Sequence, residues 1–127
     1  DEVTDLVNRC GLTSFIQSLP KGYDTLLDPT GKRLNSKIRQ DILLLRALLG
    51  KKRLLLLEEP LNFLEKRYKQ NIQDYIFSEE NATVIIATND VEIAARCNKV
   101  IYLQDGFVKA AGNWSSIASL LNENYGQ

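Results

Sequence analysis

Apolar residues run without a break in one stretch of the chain and end at two acids. The stretch Arg53–Pro60 reads RLLLLEEP, so that four leucines precede the two carboxylates. A continuous apolar run, without the alternation of a half-exposed strand, predicts a strand covered on both faces, as in a parallel sheet. The acids then lie at the carboxyl end of that strand, where the loops of open α/β sheets gather around ligands.

Helical spacing dominates the chain before this strand. Apolar residues recur every three or four positions in residues 1–18, and Gly11 divides the segment into two predicted short helices. Asn35 and Ser36 are good N-caps for a third predicted helix, which Gly50 is placed to end. Its predicted apolar face consists of Ile38, Ile42, Leu45 and Leu49.

Strands and helices alternate after the acids. Apolar side chains between Leu64 and Ile76 have helical spacing, and residues 82–87, rich in β-branched side chains, predict a second buried strand. A short helix from about 90 to 96 then leads to a third predicted strand at 99–104.

The chain closes with a predicted hairpin and helix. Asp105 and Gly106 predict a two-residue turn of type I′, so that residues 107–110 should fold back as an antiparallel strand. An amphipathic helix beginning near Trp114 follows. This order of elements predicts an α/β domain, without internal repeats.

Composition excludes few classes of protein or partner. The 127 residues are 44% apolar and 25% charged, as in an ordinary soluble globular protein, and sixteen basic residues balance sixteen acidic ones. The charge therefore gives no argument for nucleic acid or an anionic membrane as a partner. Cys10 and Cys97 are far apart and predict neither a zinc site nor a disulfide scaffold. No apolar run has the ~20 residues of a membrane-spanning helix, so we expect the chain itself to be soluble.

Two interpretations of the acid pair remain open from the residues alone. In one, a carboxylate helps to hold Mg²⁺ while its neighbour takes a proton from an attacking water. In the other, Glu58 and Glu59 are solvated acids that open a loop, helped by Pro60 as a helix breaker. The sequence contains no histidine, the commonest general base.

Taken in order, these segments resemble the C-terminal part of the nucleotide-binding domain of ABC transporters, particularly exporters. Leu19–Thr25 is similar to the stretch before the family's signature motif, and Leu34–Gln40 lies where that motif, LSGGQ-x-Q, stands. Leu54–Glu59 is similar to the Walker B strand and Asn62–Glu65 to the D-loop. Thr88 falls at the position of the switch histidine. The resemblance covers more than a hundred residues.

The resemblance implies a fold and a division of the chain. It implies a partial P-loop NTPase domain: a helical subdomain portion at 1–50, containing the signature, followed at 51–127 by the α/β core. That core is expected to be a mostly parallel sheet with a C-terminal hairpin. The first residues, DEVT, read as the interior of a longer protein, so we treat the chain as an excised piece.

The resemblance also implies roles for single residues. Glu59 matches the catalytic glutamate that polarises the attacking water, and Glu58 takes the place of the aspartate that holds Mg²⁺ through water. Thr88 takes the place of the histidine that contacts the γ-phosphate. The positions that would face the partner subunit's nucleotide are occupied by Asn35, Ser36 and Lys37 of the signature and Glu65 of the D-loop.

Several of these positions depart from the family pattern. Asn35, Ser36 and Lys37 replace the serine and two glycines whose hydroxyl and backbone N–H groups meet phosphate, and helix capping is an equally good interpretation of Asn35 and Ser36. Lys37 is either a phosphate contact or a solvated cation. Thr88 cannot match the reach of histidine and alternatively only turns a strand into a helix. Together the departures suggest slow or absent hydrolysis.

No G-x-x-x-x-G-K-[ST] phosphate loop occurs in the sequence, so we expect the chain alone to be inactive and to bind ATP poorly. In the family, the phosphate-loop strand lies between the second and third strands predicted here. Its absence leaves two strand edges unpaired, which predicts self-association or rearrangement.

Three hypotheses for function follow. In the first, the chain is the C-terminal segment of an ABC exporter ATPase domain, which couples binding and hydrolysis of ATP with Mg²⁺ to transport across a membrane. In the second, it is a degenerate, non-catalytic half that supports a competent ATPase subunit. In the third, an unrelated α/β domain binds a divalent metal at Glu58 and Glu59. The family reading implies a second nucleotide-binding domain and a transmembrane domain as partners, on the cytoplasmic side of the membrane.

Overall fold

The computed structural model describes residues 1–28, 30, 35–50, 52–62, 64–78 and 82–125. They form two compact units, Asp1–Ala87 and Thr88–Gln127. The first unit contains α1 (Glu2–Arg9), α2 (Thr13–Ser18), a 3-10 helix (Gly22–Asp24), α3 (Ser36–Leu48), β1 (Leu54–Glu58), α4 (Lys66–Ser78) and β2 (Thr83–Ala87). The second contains α5 (Val91–Arg96), β3 (Val100–Gln104), β4 (Phe107–Gly112) and α6 (Trp114–Tyr125). The predicted α/β class is confirmed.

The first two helices are separated where the sequence predicts. Gly11 has φ +70°, a left-handed conformation that few L side chains adopt, so the chain turns between α1 and α2. α1 then packs against both α3 and α4. Glu2, the first residue of α1, is joined to the end of the α3 segment, because its carboxylate accepts a hydrogen bond of 2.7 Å from the backbone N–H of Gly50.

α4 supplies much of the core of the first unit. Of the predicted face, Tyr68, Ile72 and Ile76 are buried in α4, as is Leu64 just before the helix, whereas Tyr75 is half-buried. Burying each of these side chains stabilises the fold by roughly 1.5–3 kcal/mol. The predicted face of α3 is rotated, however. Its buried residues are Asp41, Leu44, Leu45 and Leu48, so a carboxylate enters the core that the spacing did not predict.

β1 and β2 form a parallel pair in register from Leu54 opposite Thr83 to Glu58 opposite Ala87. The backbone N–H of Glu59 continues this ladder with a hydrogen bond of 2.8 Å to the carbonyl of Ala87. Glu58 is therefore the last residue of β1 and Glu59 follows it directly, so both acids lie at the carboxyl end of the strand, as predicted.

The prediction that β1 is covered on both faces is wrong for this chain. Leu55 and Leu57 are buried, but Leu54 and Leu56 are 52% and 68% exposed. Successive side chains point to opposite faces of a sheet, and only one face of this pair is buried. β2 was likewise predicted to be buried, yet Ile85, the partner of Leu56, is 57% exposed.

The second unit contains the predicted hairpin. Asp105 and Gly106 both have positive φ, 51° and 80°, as a type I′ turn requires. β3 and β4 pair antiparallel with a register shift after Tyr102, which leaves Lys109 as an extra residue in a bulge. Among the described side chains of this unit, the buried apolar ones are Ile93 of α5 and Ile117 of α6.

The sheet is divided differently from the prediction. The described strands form two separate two-stranded sheets, one parallel and one antiparallel, in place of a single mostly parallel sheet. β2 pairs with β1 and β3 pairs with β4, whereas no described strand joins β2 to β3. The expected self-association through unpaired strand edges stays a prediction. Among the described residues, no helix is long and apolar enough to cross a membrane.

Candidate functional site

The acid pair lies on a turn with an uncommon backbone. Glu58 ends β1 and is exposed, while Glu59 is half-buried and has φ +40°, in the left-handed region. The carbonyl of Glu59 accepts a hydrogen bond of 3.3 Å from the N–H of Asn62, which closes the turn after the strand. A left-handed conformation costs a residue with a side chain on the order of 1–2 kcal/mol. The turn therefore fixes the backbone of Glu59 directly beyond the strand.

The donor chemistry of this pair suits Mg²⁺. Within the described ranges, no group of three or more histidine, cysteine, aspartate or glutamate residues is arranged as a metal site. Mg²⁺ is, however, commonly held by one or two carboxylates together with phosphate oxygens and water. Glu58, exposed at the end of β1, could supply such a carboxylate. Its role as a metal ligand stays a prediction.

Asn35 caps α3. Its side-chain oxygen accepts a hydrogen bond of 2.8 Å from the N–H of Ile38, and Ser36 is the first residue of the helix. The capping interpretation of Asn35 is therefore confirmed. The cap uses the side-chain oxygen, and the amide nitrogen of Asn35 is a separate donor. Its contact with a phosphate stays a prediction. Leu34, the first residue of the segment similar to the signature, lies outside the described residues, as does Phe63 of the segment similar to the D-loop.

Two of the predicted site residues meet directly. The ammonium of Lys37 lies 3.1 Å from Oε1 of Glu65, and Arg67 donates from Nε to Oε2 of the same carboxylate at 2.9 Å. These bonds join the first turn of α3 to the segment that leads into α4. The hydrogen bond from Lys37 is the main reason that the pKa of Glu65 is lowered, and the positive charge of Arg67 acts in the same direction.

Asp41 is a charged neighbour that the sequence analysis missed. It lies one turn after Lys37 on α3 and is only 6% exposed. Burial raises the pKa of its carboxyl group, the charge of Lys37 opposes that rise, and the charge of Glu65 adds to it. The signal was present, because Asp41, Leu44, Leu45 and Leu48 share a helical face. Arg67 was also missed, although it follows Glu65 by two residues.

Thr88 is the first residue of the second unit and lies just before α5. Its hydroxyl oxygen accepts a hydrogen bond of 3.0 Å from the N–H of Asp90. Asp90 in turn caps α5 by accepting from the N–H of Glu92 at 2.9 Å. This arrangement agrees with the structural interpretation of Thr88, a residue that turns a strand into a helix. Its role at a γ-phosphate stays a prediction.

Comparison with known proteins shows where this arrangement belongs. Antigen peptide transporter 1 of Rattus norvegicus is 30% identical over 115 residues, which cover 88% of this chain. The ABC transporter ATP-binding protein YfiB of Bacillus subtilis is 29% identical over 119 residues, or 94% of the chain. The chain is a homologue of ABC transporters. The resemblance predicted from the sequence is thereby confirmed.

The likeness extends to the fold. A solved bacterial Atm1-family ABC exporter with ATP bound superposes with a TM-score of 0.78 over 94% of this chain, at 23% identity. No protein-family model matches the sequence. This chain spans only a small part of these proteins: 16% of the rat transporter, 21% of YfiB and 21% of the exporter chain.

Proposed function

We propose that the chain is the C-terminal segment of the ATP-binding domain of an ABC exporter, a domain of the P-loop NTPase type. The longer protein would couple the binding and hydrolysis of ATP to transport of a substrate across a membrane. The observation that carries this proposal is the placement of Glu58 and Glu59 at the carboxyl end of β1, in a parallel pair of strands. The chain that holds them is homologous to ABC transporters along about nine tenths of its length.

The acids divide the proposed work between them. Glu59 would act as the general base that orients and polarises an attacking water, since its backbone is fixed by the turn to Asn62. Glu58 would hold Mg²⁺ through a water molecule. Mg²⁺ supplies neutralisation of phosphate charge when bound. Thr88 would contact the γ-phosphate through its hydroxyl group.

A second set of residues would act toward a partner. Asn35, Ser36 and Lys37 begin α3, where helix-dipole and N–H groups favour an anion, and Glu65 adjoins them through Lys37. In the proposed assembly these residues face the nucleotide of a second ATP-binding domain, and a transmembrane domain completes the transporter. The assembly places this chain on the cytoplasmic side of the membrane. In the proposed domain, residues 1–50 belong to the helical subdomain and 51–127 to the α/β core.

The alternative of a non-catalytic half has no support in the names of the relatives. YfiB, for example, is described as an uncharacterized ABC transporter ATP-binding protein. The replacements at Asn35, Ser36, Lys37 and Thr88 motivate that alternative, and the capping and turn contacts of Asn35 and Thr88 are compatible with it.

Binding of MgATP is the first test. Titration calorimetry compares this chain with a version extended at its N-terminus through the family's phosphate loop. We expect the extended protein to bind and the short chain not to bind. Binding by neither would contradict the proposed ATP site, and equal binding by both would contradict the expectation that the phosphate loop is needed.

The rate of ATP hydrolysis distinguishes the proposed ATPase from the alternative of a non-catalytic half. Glu59→Gln in the full transporter keeps the size of the side chain and removes the base, so we expect ATP hydrolysis to fall by about 10²–10⁴-fold while MgATP binding persists. Glu92→Gln, an exposed glutamate in α5, is the matched control and should leave turnover unchanged. Equal turnover in wild type and Glu59→Gln would show that Glu59 is not the base.

A further inference from the structure

The carboxylate of Glu65 is shared between two cations from different parts of the first unit. Lys37 reaches Oε1 at 3.1 Å and Arg67 reaches Oε2 at 2.9 Å, so each carboxylate oxygen has its own positively charged partner. Lys37 and Glu65 are 28 residues apart in the sequence. A local sequence pattern therefore does not explain this contact, and it constrains how α3 and α4 begin relative to each other.

Arg67, one of the two cations that contact Glu65, lies against the ring of a buried tyrosine. The guanidinium carbon of Arg67 lies 4.6 Å from the ring centroid of Tyr68, which is a cation–π distance. Tyr68 is buried and its hydroxyl lies 2.7 Å from that of Ser14 in α2. Arg67 is itself 64% exposed, so only its contact with the Tyr68 ring ties Glu65 to the core, and Lys37 is a long, flexible side chain that can leave.

We propose that the Lys37–Glu65 ion pair is an autoinhibitory latch, which keeps the Lys37 ammonium from reaching the phosphates of a partner subunit's nucleotide. This rests on the proposed function, in which Lys37 and Glu65 both face that nucleotide. A single ammonium that is held against Glu65 is not free to neutralise a phosphate. The latch therefore has to open before the two subunits close on ATP, and it opposes that closure.

The surroundings of the pair suit a latch that opens. The side chains of Lys37 and Glu65 are 43% and 46% exposed, so water and salt screen their attraction. Buried Asp41, one turn after Lys37, adds a second negative charge on the same side of α3, which attracts Lys37 and repels Glu65. A triphosphate carries more negative charge than the carboxylate and can compete for Lys37. We expect the latch to shift the closing equilibrium by about two- to fivefold, the size typical of exposed ion pairs.

The pair itself is tested on the 127-residue chain by a double-mutant cycle. Lys37→Gln, Glu65→Gln and the double variant are unfolded with urea at low salt and at 1 M salt. We expect the two substitutions to be coupled by about two- to fivefold in the unfolding equilibrium constant at low salt, and less at high salt. Lys109→Gln combined with Glu65→Gln is the control and should show no coupling. Purely additive effects of Lys37→Gln and Glu65→Gln would overturn the latch.

The inhibition is tested in the full transporter with MgATP as the probe. Energy transfer between dyes attached to the two ATP-binding domains reports the MgATP concentration at which these domains close on each other. We expect Glu65→Gln to lower that concentration about two- to fivefold, and to have no effect when Lys37→Gln is already present. A rise in the required concentration that is equal in both backgrounds would overturn the latch, because Glu65 would then contact the partner directly.

Failure of the proposed function gives a different result. If neither wild type nor any variant associates with MgATP, the proposed ATP-dependent role and the inhibition are both overturned. The coupling between residues 37 and 65 in the isolated chain is measured without nucleotide and would be unaffected. Coupling without a change in MgATP-driven association would leave the proposed function intact and overturn only the inhibition.

Discussion

The hydroxyl groups of Ser14 and Tyr68 lie 2.7 Å apart, although 54 residues separate them in the sequence. Their hydrogen bond joins α2 to the buried face of α4, next to the residues that hold Glu65. A buried hydroxyl group that has a partner in the folded chain is costly to leave without one. The contact therefore links the stability of the first helices to the placement of the proposed site.

Removing this hydroxyl group should destabilise the chain measurably. We expect Tyr68→Phe to lower the free energy of unfolding by about 0.5–1.5 kcal/mol, because it deletes the hydrogen bond and keeps the ring. Tyr23→Phe removes the hydroxyl of a tyrosine that is 54% exposed and should change stability by less than about 0.5 kcal/mol. Urea unfolding followed by circular dichroism measures both. Equal effects of the two substitutions would contradict the importance of the Ser14 contact.

A matched pair of leucines tests the core of the first unit. Leu12 is 1% exposed and Leu26 is 91% exposed. We expect Leu12→Ala to cost about 2–5 kcal/mol, because it removes buried methyl groups and leaves a cavity, and Leu26→Ala to cost less than about 0.5 kcal/mol. Thermal and urea unfolding of both variants checks this. A similar loss in both would mean that the segment around Leu26 packs against something in solution.

The buried carboxyl group of Asp41 predicts one direction of pH dependence. Burial raises its pKa above the ordinary value of 3.8, so the folded chain holds the proton more tightly than the unfolded chain. Its contribution to stability is greatest below pH 3.8 and is lost as the pH rises through the raised pKa. We therefore expect the stability of wild type relative to Asp41→Asn to fall with rising pH in a series of urea unfolding curves. A constant difference would contradict the burial of the charge.

Glu65 predicts the opposite direction. The hydrogen bond from Lys37 lowers its pKa below the ordinary value of 4.5, so the folded chain holds this proton less tightly than the unfolded chain. Its contribution is present above pH 4.5 and is lost as the pH falls through the lowered pKa. In the same unfolding series, the stability of wild type relative to Glu65→Gln should rise with pH. A fall would show that the ion pair with Lys37 does not form.

The two cysteines should differ in reactivity. Cys10 is 0% exposed, and burial raises the pKa of its thiol to about 11. At pH 8 about one thiol in a thousand is then the reactive thiolate. We expect the Cys97→Ser variant, which keeps Cys10, to react with a disulfide reagent only after denaturant is added. The Cys10→Ser variant, which keeps half-exposed Cys97, should react faster in the folded state. Rapid labelling of folded Cys97→Ser would indicate that the helices around Cys10 open readily.

The sequence predicted those parts of the fold that depend on local rules. The face of α4 was found because Leu64, Tyr68, Ile72 and Ile76 repeat at helical spacing. The hairpin was found because Asp105-Gly106 suits the positive φ angles of its turn. Homology confirms the family resemblance, whereas the assignment of single motifs stays a prediction.

Features that depend on distant partners were not predictable in this way. Whether Leu54 and Leu56 are covered depends on what packs against β1, and a run of leucines is compatible with either outcome. The contact of Lys37 with Glu65 depends on how α3 and α4 approach each other, which no spacing in the sequence encodes. Asp41 was missed for a different reason, because the predicted face of α3 was rotated by about one residue from the face that Asp41 shares with Leu44, Leu45 and Leu48.

Because Glu59 has a left-handed backbone, selection for stability and selection for transport should favour different residues at position 59. Glycine adopts φ +40° without the steric cost that a side chain incurs. A library at position 59 that is screened only for resistance to proteolysis should thus enrich glycine. The same library screened for transport by the full protein should retain glutamate. The free energy of unfolding of the glycine variant, compared with that of wild type, would then measure how much stability is lost by keeping an acid at this turn.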